Sequence, residues 1–156
     1  MRDRLARLDR IHIRSPVYFV TACTAQRRPL LAKQEIHQAF VGFAEQGPAH
    51  GAWIGAYVLM PEHLHAFVAL DEERTNLAAL MKSMKNALSK KFREGGIAAP
   101  HWQKGFFDHV LRSEESVGGK WQYVRENPVR AGLVAQWNEW PYLGEISPLE
   151  YRVEHV

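Results

Sequence analysis

Residues 52–70 read AWIGAYVLMPEHLHAFVAL, and the fold turns on how this stretch is read. Ala52–Leu59 is a nearly continuous apolar run, as expected of a strand with both faces covered. Met60-Pro61-Glu62 turns the chain, and His63–Leu70 returns as a second strand, so the two form a hairpin. Side chains alternate across a strand. His63 and His65 therefore share one face, and Leu64, Ala66 and Val68 point to the other. Two imidazoles side by side on a rigid strand form a chelating pair.

The flanking segments complete the pattern. Val17–Thr24, rich in Tyr, Phe, Val and Thr, reads as a first strand, broken by Arg27-Arg28-Pro29. Lys33–Gln46 carries Ile36, Phe40 and Phe43 at helical spacing and stops at Gly47-Pro48. After the charged loop Asp71–Arg74, Thr75 or Asn76 caps a second helix running to about Arg93. Its apolar stripe is Leu77, Leu80, Met81, Met84, Leu88 and Phe92, and its outer face is basic. His101–Gly105 is a loop, and Phe106–Leu111 a short fourth strand. Ser113, with Glu114 and Glu115 behind it, starts a third helix that Pro128 ends. Gly118-Gly119 weakens this helix by about 1 kcal/mol per glycine relative to alanine. The remainder, through Trp137, Trp140 and Tyr142, reads as a tail folded back by its aromatics.

The order β-α-β-β-α-β-α predicts an α/β (α+β) domain of the ferredoxin-like, split β-α-β type. This means a four-stranded antiparallel sheet with helices on one face, plus a C-terminal helix bearing Tyr123. The His63–Leu70 strand is central, and the histidines are expected on a face left free of helices.

The bulk numbers fit one soluble domain spanning 1–156: the chain has 156 residues, 46% hydrophobic and 24% charged. No apolar run approaches the roughly 20 residues a membrane span needs. The first ten residues, MRDRLARLDR, have no signal-peptide core. Cys23 is the only cysteine, which excludes an intramolecular disulfide. A cytoplasmic location is expected. The net charge of +3 permits a nucleic-acid partner without demanding one.

The second chemical signal is Trp121-Gln122-Tyr123-Val124-Arg125-Glu126-Asn127-Pro128, in which Tyr123 and Asn127 are four apart, on one face of a helix. Two histidines, an amide and a tyrosine suggest a metal-assisted tyrosine nucleophile. Imidazole suits many divalent ions, and an amide oxygen suits Mg²⁺ and Mn²⁺. A phenol has an ordinary pKa near 10 and needs help to attack at neutral pH. Glu62, Glu126 and water all remain open as general base. There is no P-loop, no GxSxG and no Rossmann fingerprint.

The segments VLMPEHLHAFVAL, HWQKGFFDHVLRSEES and WQYVRENPVRAGLV resemble REP-associated tyrosine transposases, within the single-tyrosine, His-hydrophobic-His (HUH) transposases of bacterial insertion sequences. The resemblance covers roughly residues 14–143. It implies a ferredoxin-like fold and a DNA transposase/endonuclease. Such an enzyme cuts and rejoins single-stranded DNA beside REP-type hairpins with Mg²⁺ or Mn²⁺, through a 5′-phosphotyrosine intermediate. Carried over by position, Tyr123 is the nucleophile and His63, His65 and Asn127 are the metal ligands. Glu62 stands where many relatives have asparagine. Lys82, Lys85, Lys90 and Arg93 on the basic helix, with Arg27 and Arg28, are expected to track phosphates, and Trp102 to stack on a base. A nucleoid-associated monomer is favoured over a homodimer. Two alternatives stand beside this reading. One is a domesticated hairpin-binding protein with weak or no rejoining. The other is a non-catalytic ferredoxin-like RNA- or DNA-binding module, using Phe19 and Phe67 on an open sheet face.

Overall fold

The computed structural model describes residues 16–149, apart from the side chains of Glu114 and Glu115. Strands β1 (Val17–Cys23), β2 (Ala52–Leu59), β3 (His63–Leu70), β4 (Phe107–Leu111) and β5 (Leu143–Glu145) form one antiparallel sheet in the order β4-β1-β3-β2-β5. The first four strands have the ferredoxin-like arrangement with β3 in the middle. The sheet has five strands rather than the expected four. The tail returns as β5 and pairs Leu143–Glu145 with Ala56–Val58.

Helices α1 (Gln34–Gln46) and α2 (Leu77–Glu94) cover one face. Asn76 caps α2, its side-chain oxygen accepting from the Ala79 N–H at 2.9 Å. Ile36, Phe40, Leu80, Met81, Met84, Leu88 and Phe92 pack there on Leu64, Ala66 and Val68, as the alternation in β3 predicts.

The opposite face is not free, which corrects the sequence expectation. Helix α3 (Glu114–Val124) lies across it, capped by Ser113, and the tail follows. Val117, Trp121, Val124 and Leu149 pack with Phe19, Phe67, Val58 and Ala69 in a second, smaller core. Phe19 and Phe67 are thus roofed over and present no open aromatic platform. Gly55 is needed here: a Cβ on it would lie 2.8 Å from the Leu149 side chain, and β2 shifts register between Ile54 and Tyr57 at this point. The Trp140 indole donates to the Leu59 carbonyl at 3.0 Å, which ties down the tail.

The third helix is also shorter than expected. It ends at Val124, and a separate one-turn helix α4 (Asn127–Arg130) follows. Pro128 has no N–H to donate to the Val124 carbonyl, so α3 cannot continue. The same proline is tolerated in the first turn of α4, where that donor has no partner to lose. Asn127 and Tyr123 therefore sit on different helices.

Candidate active site

His63 opens β3 opposite Cys23, and His65 lies opposite Thr21. The two rings meet edge-on, centroids 4.8 Å apart. Each is held through Nδ1. The His63 Nδ1 pairs with a Glu62 carboxylate oxygen at 3.0 Å, and the His65 Nδ1 with the Thr21 hydroxyl at 2.8 Å. His65 also stacks on Phe19, centroids 5.0 Å apart. Nε2 is thereby the nitrogen each ring offers to a ligand, and the Nδ1 partners fix ring orientation, as outer-shell partners of metal-bound histidines do.

Both rings are neutral at physiological pH. Burial, with help from His63 and Lys120, lowers the His65 pKa to about 3. Burial also lowers His63, and the Arg27 charge adds to it while Glu62 opposes it. A neutral imidazole is the form that binds a metal.

Helix α3 brings Lys120 beside this pair. Its ammonium lies 4.7 Å from the centre of the Phe19 ring, on which His65 stacks. Tyr123 follows three positions later, on the same flank of the helix. It is 62% exposed, whereas Val124 next to it is buried in the sheet-facing core. Asn127, in the first turn of α4, has its amide oxygen engaged by Arg130, whose guanidinium lies 4.0 Å from the centre of the Tyr123 ring.

Arg27 ends a 3-10 turn (Ala25–Arg27) in which Gln26 and Arg27 both take φ of 55°. Two successive non-glycine residues in the left-handed region are strained. The Thr24 hydroxyl, 2.8 Å from the Arg28 carbonyl and 3.0 Å from that of Glu62, ties this turn to the one preceding His63. Arg28 is committed elsewhere: it donates to the carbonyls of Ala98 and Pro100 at 2.9 and 3.1 Å.

The basic face of α2 divides. Lys82, Lys90 and Arg93 are exposed. The Lys85 ammonium donates to the carbonyls of Gln103 and Gly105, and burial lowers its pKa. Trp102 is half-buried, its indole N–H shared between the Ser89 hydroxyl at 3.0 Å and the Lys85 carbonyl at 3.2 Å. Lys85 and Trp102 thus pin the 101–105 loop against α2. Lys82, Lys85, Lys104, Trp102 and Phe106 line a groove of about 420 Å³. The groove abuts the end of β1, where Gln103 N–H donates to the Cys23 carbonyl at 2.9 Å and Thr24 bridges to Trp102. It therefore runs up to the strand neighbouring His63.

The sequence reading missed Thr21, Lys120 and Arg130. Thr21 faces His65 across a strand pair, which no local motif announces. Lys120 lies three residues before Tyr123 and Arg130 three after Asn127, so helical spacing alone was a usable signal for both.

Residues 14–127 match the family model described as "Transposase IS200 like". The chain belongs to this IS200-like transposase family. Among curated relatives of the family, a REP-associated tyrosine transposase of Escherichia coli strain K12 is 26% identical over 136 residues, 85% of this chain and 78% of that protein. A Haemophilus influenzae protein provisionally given the same name is 28% identical over 101 residues, 56% of this chain. That alignment spans only 55% of the Haemophilus protein's length. A solved structure of a REP-associated tyrosine transposase bound to a REP hairpin superposes with a TM-score of 0.67 at 22% identity, covering 90% of this chain and 93% of the other. At that identity the likeness speaks for the fold. The family resemblance read from the three sequence segments is borne out, and so is the ferredoxin-like class, with one extra strand. Among the described residues, no helix of this IS200-like chain is long and apolar enough to cross a membrane.

Proposed function

We propose that this IS200-like transposase cleaves and rejoins single-stranded DNA beside a REP-type hairpin, with Tyr123 as nucleophile. The observation that carries the reading is the placement of α3 across the sheet, with Lys120 against the ring stacked on His65 and Tyr123 one turn on. Lys120 thereby links the helix that bears the phenol to the strand that bears the imidazole pair.

The donor set fits a divalent cation such as Mg²⁺ or Mn²⁺: two neutral imidazoles oriented through Nδ1, and an amide oxygen. His63, His65 and Asn127 would hold it, and when bound it supplies polarisation of a phosphoryl oxygen. The chain's own groups do the rest. Arg27 places positive charge near His63 and Lys120 near His65, where a phosphate would sit. The Tyr123 phenol oxygen attacks the phosphorus as its proton leaves to a base or to water. The bond from phosphorus to the 3′ oxygen breaks, and that oxygen takes up a proton as a free 3′-OH. The 5′ side remains as phosphotyrosine, and attack by a 3′-OH on that ester reverses the step. Conserving the ester bond lets rejoining proceed without ATP. The groove beside Trp102, with Lys82 and Lys104, and the exposed Lys90 and Arg93 would receive the phosphate backbone. The REP hairpin itself is suggested by the relatives of that name.

Incubation of labelled single-stranded hairpins with Mn²⁺, followed by a denaturing gel, tests the reading. Wild type is expected to form a covalent protein–DNA adduct, and Tyr123→Phe none, with hairpin affinity unchanged. Hairpin binding without an adduct in the wild type would replace this reading with that of a binding protein. An adduct in Tyr123→Phe would remove the nucleophile assignment.

A further inference from the structure

The proposed nucleophile and the proposed amide ligand lie on different helices, separated by the break at Arg125 and Glu126. One side chain spans that break. Arg130 lays its guanidinium over the Tyr123 ring, 4.0 Å from the centroid. The same group donates to the Tyr123 carbonyl at 2.8 Å and to the Asn127 amide oxygen. The Tyr123 carbonyl, at the end of α3, also accepts from the Glu126 N–H at 3.3 Å. An amide oxygen has two lone pairs, so a bond from Arg130 leaves it able to face a cation as well. Only a planar, multiply donating cation can stack on a ring and donate two hydrogen bonds at once, and arginine is the side chain that does so. Among the described residues, no carboxylate forms an ion pair with Arg130.

We propose that Arg130 is the positioning residue of the tyrosine: it fixes the Tyr123 ring and the Asn127 amide oxygen in one relation across the helix break. This role rests on the nucleophile reading above. Arg130 acts through Tyr123 and Asn127, and its worth lies in delivering both to the same phosphate. Misplacing a reacting group by about 1 Å costs roughly 100-fold in rate. Loss of the clamp is therefore expected to appear in the rate of attack and not in DNA affinity.

The test uses the full chain labelled with fluorotyrosine, as wild type, Arg130→Gln, Arg130→Lys and Tyr123→Phe. Fluorine NMR reads the ring environment, with the Tyr123 line assigned by its absence in Tyr123→Phe. Single-turnover adduct formation at saturating hairpin with Mn²⁺ reads the chemistry, and hairpin titration reads binding. In Arg130→Gln the Tyr123 line is expected to move while the other tyrosine lines stay, and the adduct rate to fall roughly 100-fold at unchanged hairpin affinity. Arg130→Lys, which keeps the charge and loses the fork, should recover only part of the rate. An unmoved line, or an adduct rate equal to or above wild type, overturns the role, the latter by making Arg130 a restraint. Rate and affinity lost together make Arg130 a DNA contact instead. A wild type that forms no adduct overturns the nucleophile reading and this role with it.

Discussion

His63 and His65 lie on the central strand of the sheet, paired with β1 on one side and β2 on the other, whereas Tyr123 lies on an eleven-residue helix that rests on the sheet through Val117, Trp121 and Val124. The difference extends to the side chains. Each imidazole has a hydrogen-bond partner at Nδ1, and His65 has a stacking partner, whereas the phenol faces solvent with its ring under Arg130. Two glycines, Gly118 and Gly119, sit in the middle of the tyrosine helix, and neither has a neighbour within 4 Å of the space a Cβ would fill. Packing does not require them. Their effect is to soften the helix that carries the proposed nucleophile, while the strand that carries the proposed ligands stays stiff. A cation site needs fixed donors, and an attacking group that must also leave and return gains from a compliant support.

Four substitutions bear on this contrast, beyond the tests of Tyr123 and Arg130. The largest effect is expected on the stiff side. Leu64 is fully buried between the two histidines in sequence, under α1 and α2. Leu64→Ala should cost about 2–5 kcal/mol in chemical denaturation. Val124→Ala, on the helix side, removes less apolar volume and should cost about 1–2 kcal/mol. Equal costs for the two would erase the distinction between stiff and compliant supports. An intermediate effect is expected at Thr21. Thr21→Val keeps the shape but leaves His65 Nδ1 without its partner, and Mn²⁺ affinity by calorimetry should fall about 10- to 100-fold. An unchanged affinity would mean that the stack on Phe19 alone orients the ring. The smallest effect is expected at Gly118. Gly118→Ala should raise helix stability by about 1 kcal/mol, seen as a rise of roughly 2–4 °C in the melting temperature. Slower adduct formation in that stabilised variant would tie compliance to the reaction. An equal or faster rate would make the glycines incidental.

Most of the candidate site was legible because its signals are local. The His63-Leu64-His65 alternation puts both imidazoles on one face by strand geometry alone, and the structure keeps that phase. Asn76 and Ser113 cap α2 and α3 as their side chains suggest. Strand β5 was not legible, because Leu143–Glu145 is three residues long and shows no alternation. Its pairing is set by the open edge of β2. The basic stripe of α2 was read as one surface, yet Lys85 is drawn inward by carbonyls of a loop 18 and 20 residues away. The spacing of Tyr123 and Asn127 suggested one helical face. Pro128 breaks that face, and a side chain from the next turn restores the contact.

By itself the sequence determined the ferredoxin-like order of elements, the facing of the two histidines and the presence of a tyrosine on a late helix. These follow from periodicity, capping and turn chemistry within a few residues of chain. Only the tertiary structure decided that the histidine face is roofed by α3 and the tail, that Thr21 and Phe19 hold His65, and that Arg130 joins Tyr123 to Asn127. Those contacts depend on which apolar surface remains after α1 and α2 have covered the first face, and on which side chains a helix break brings together. No local pattern encodes either.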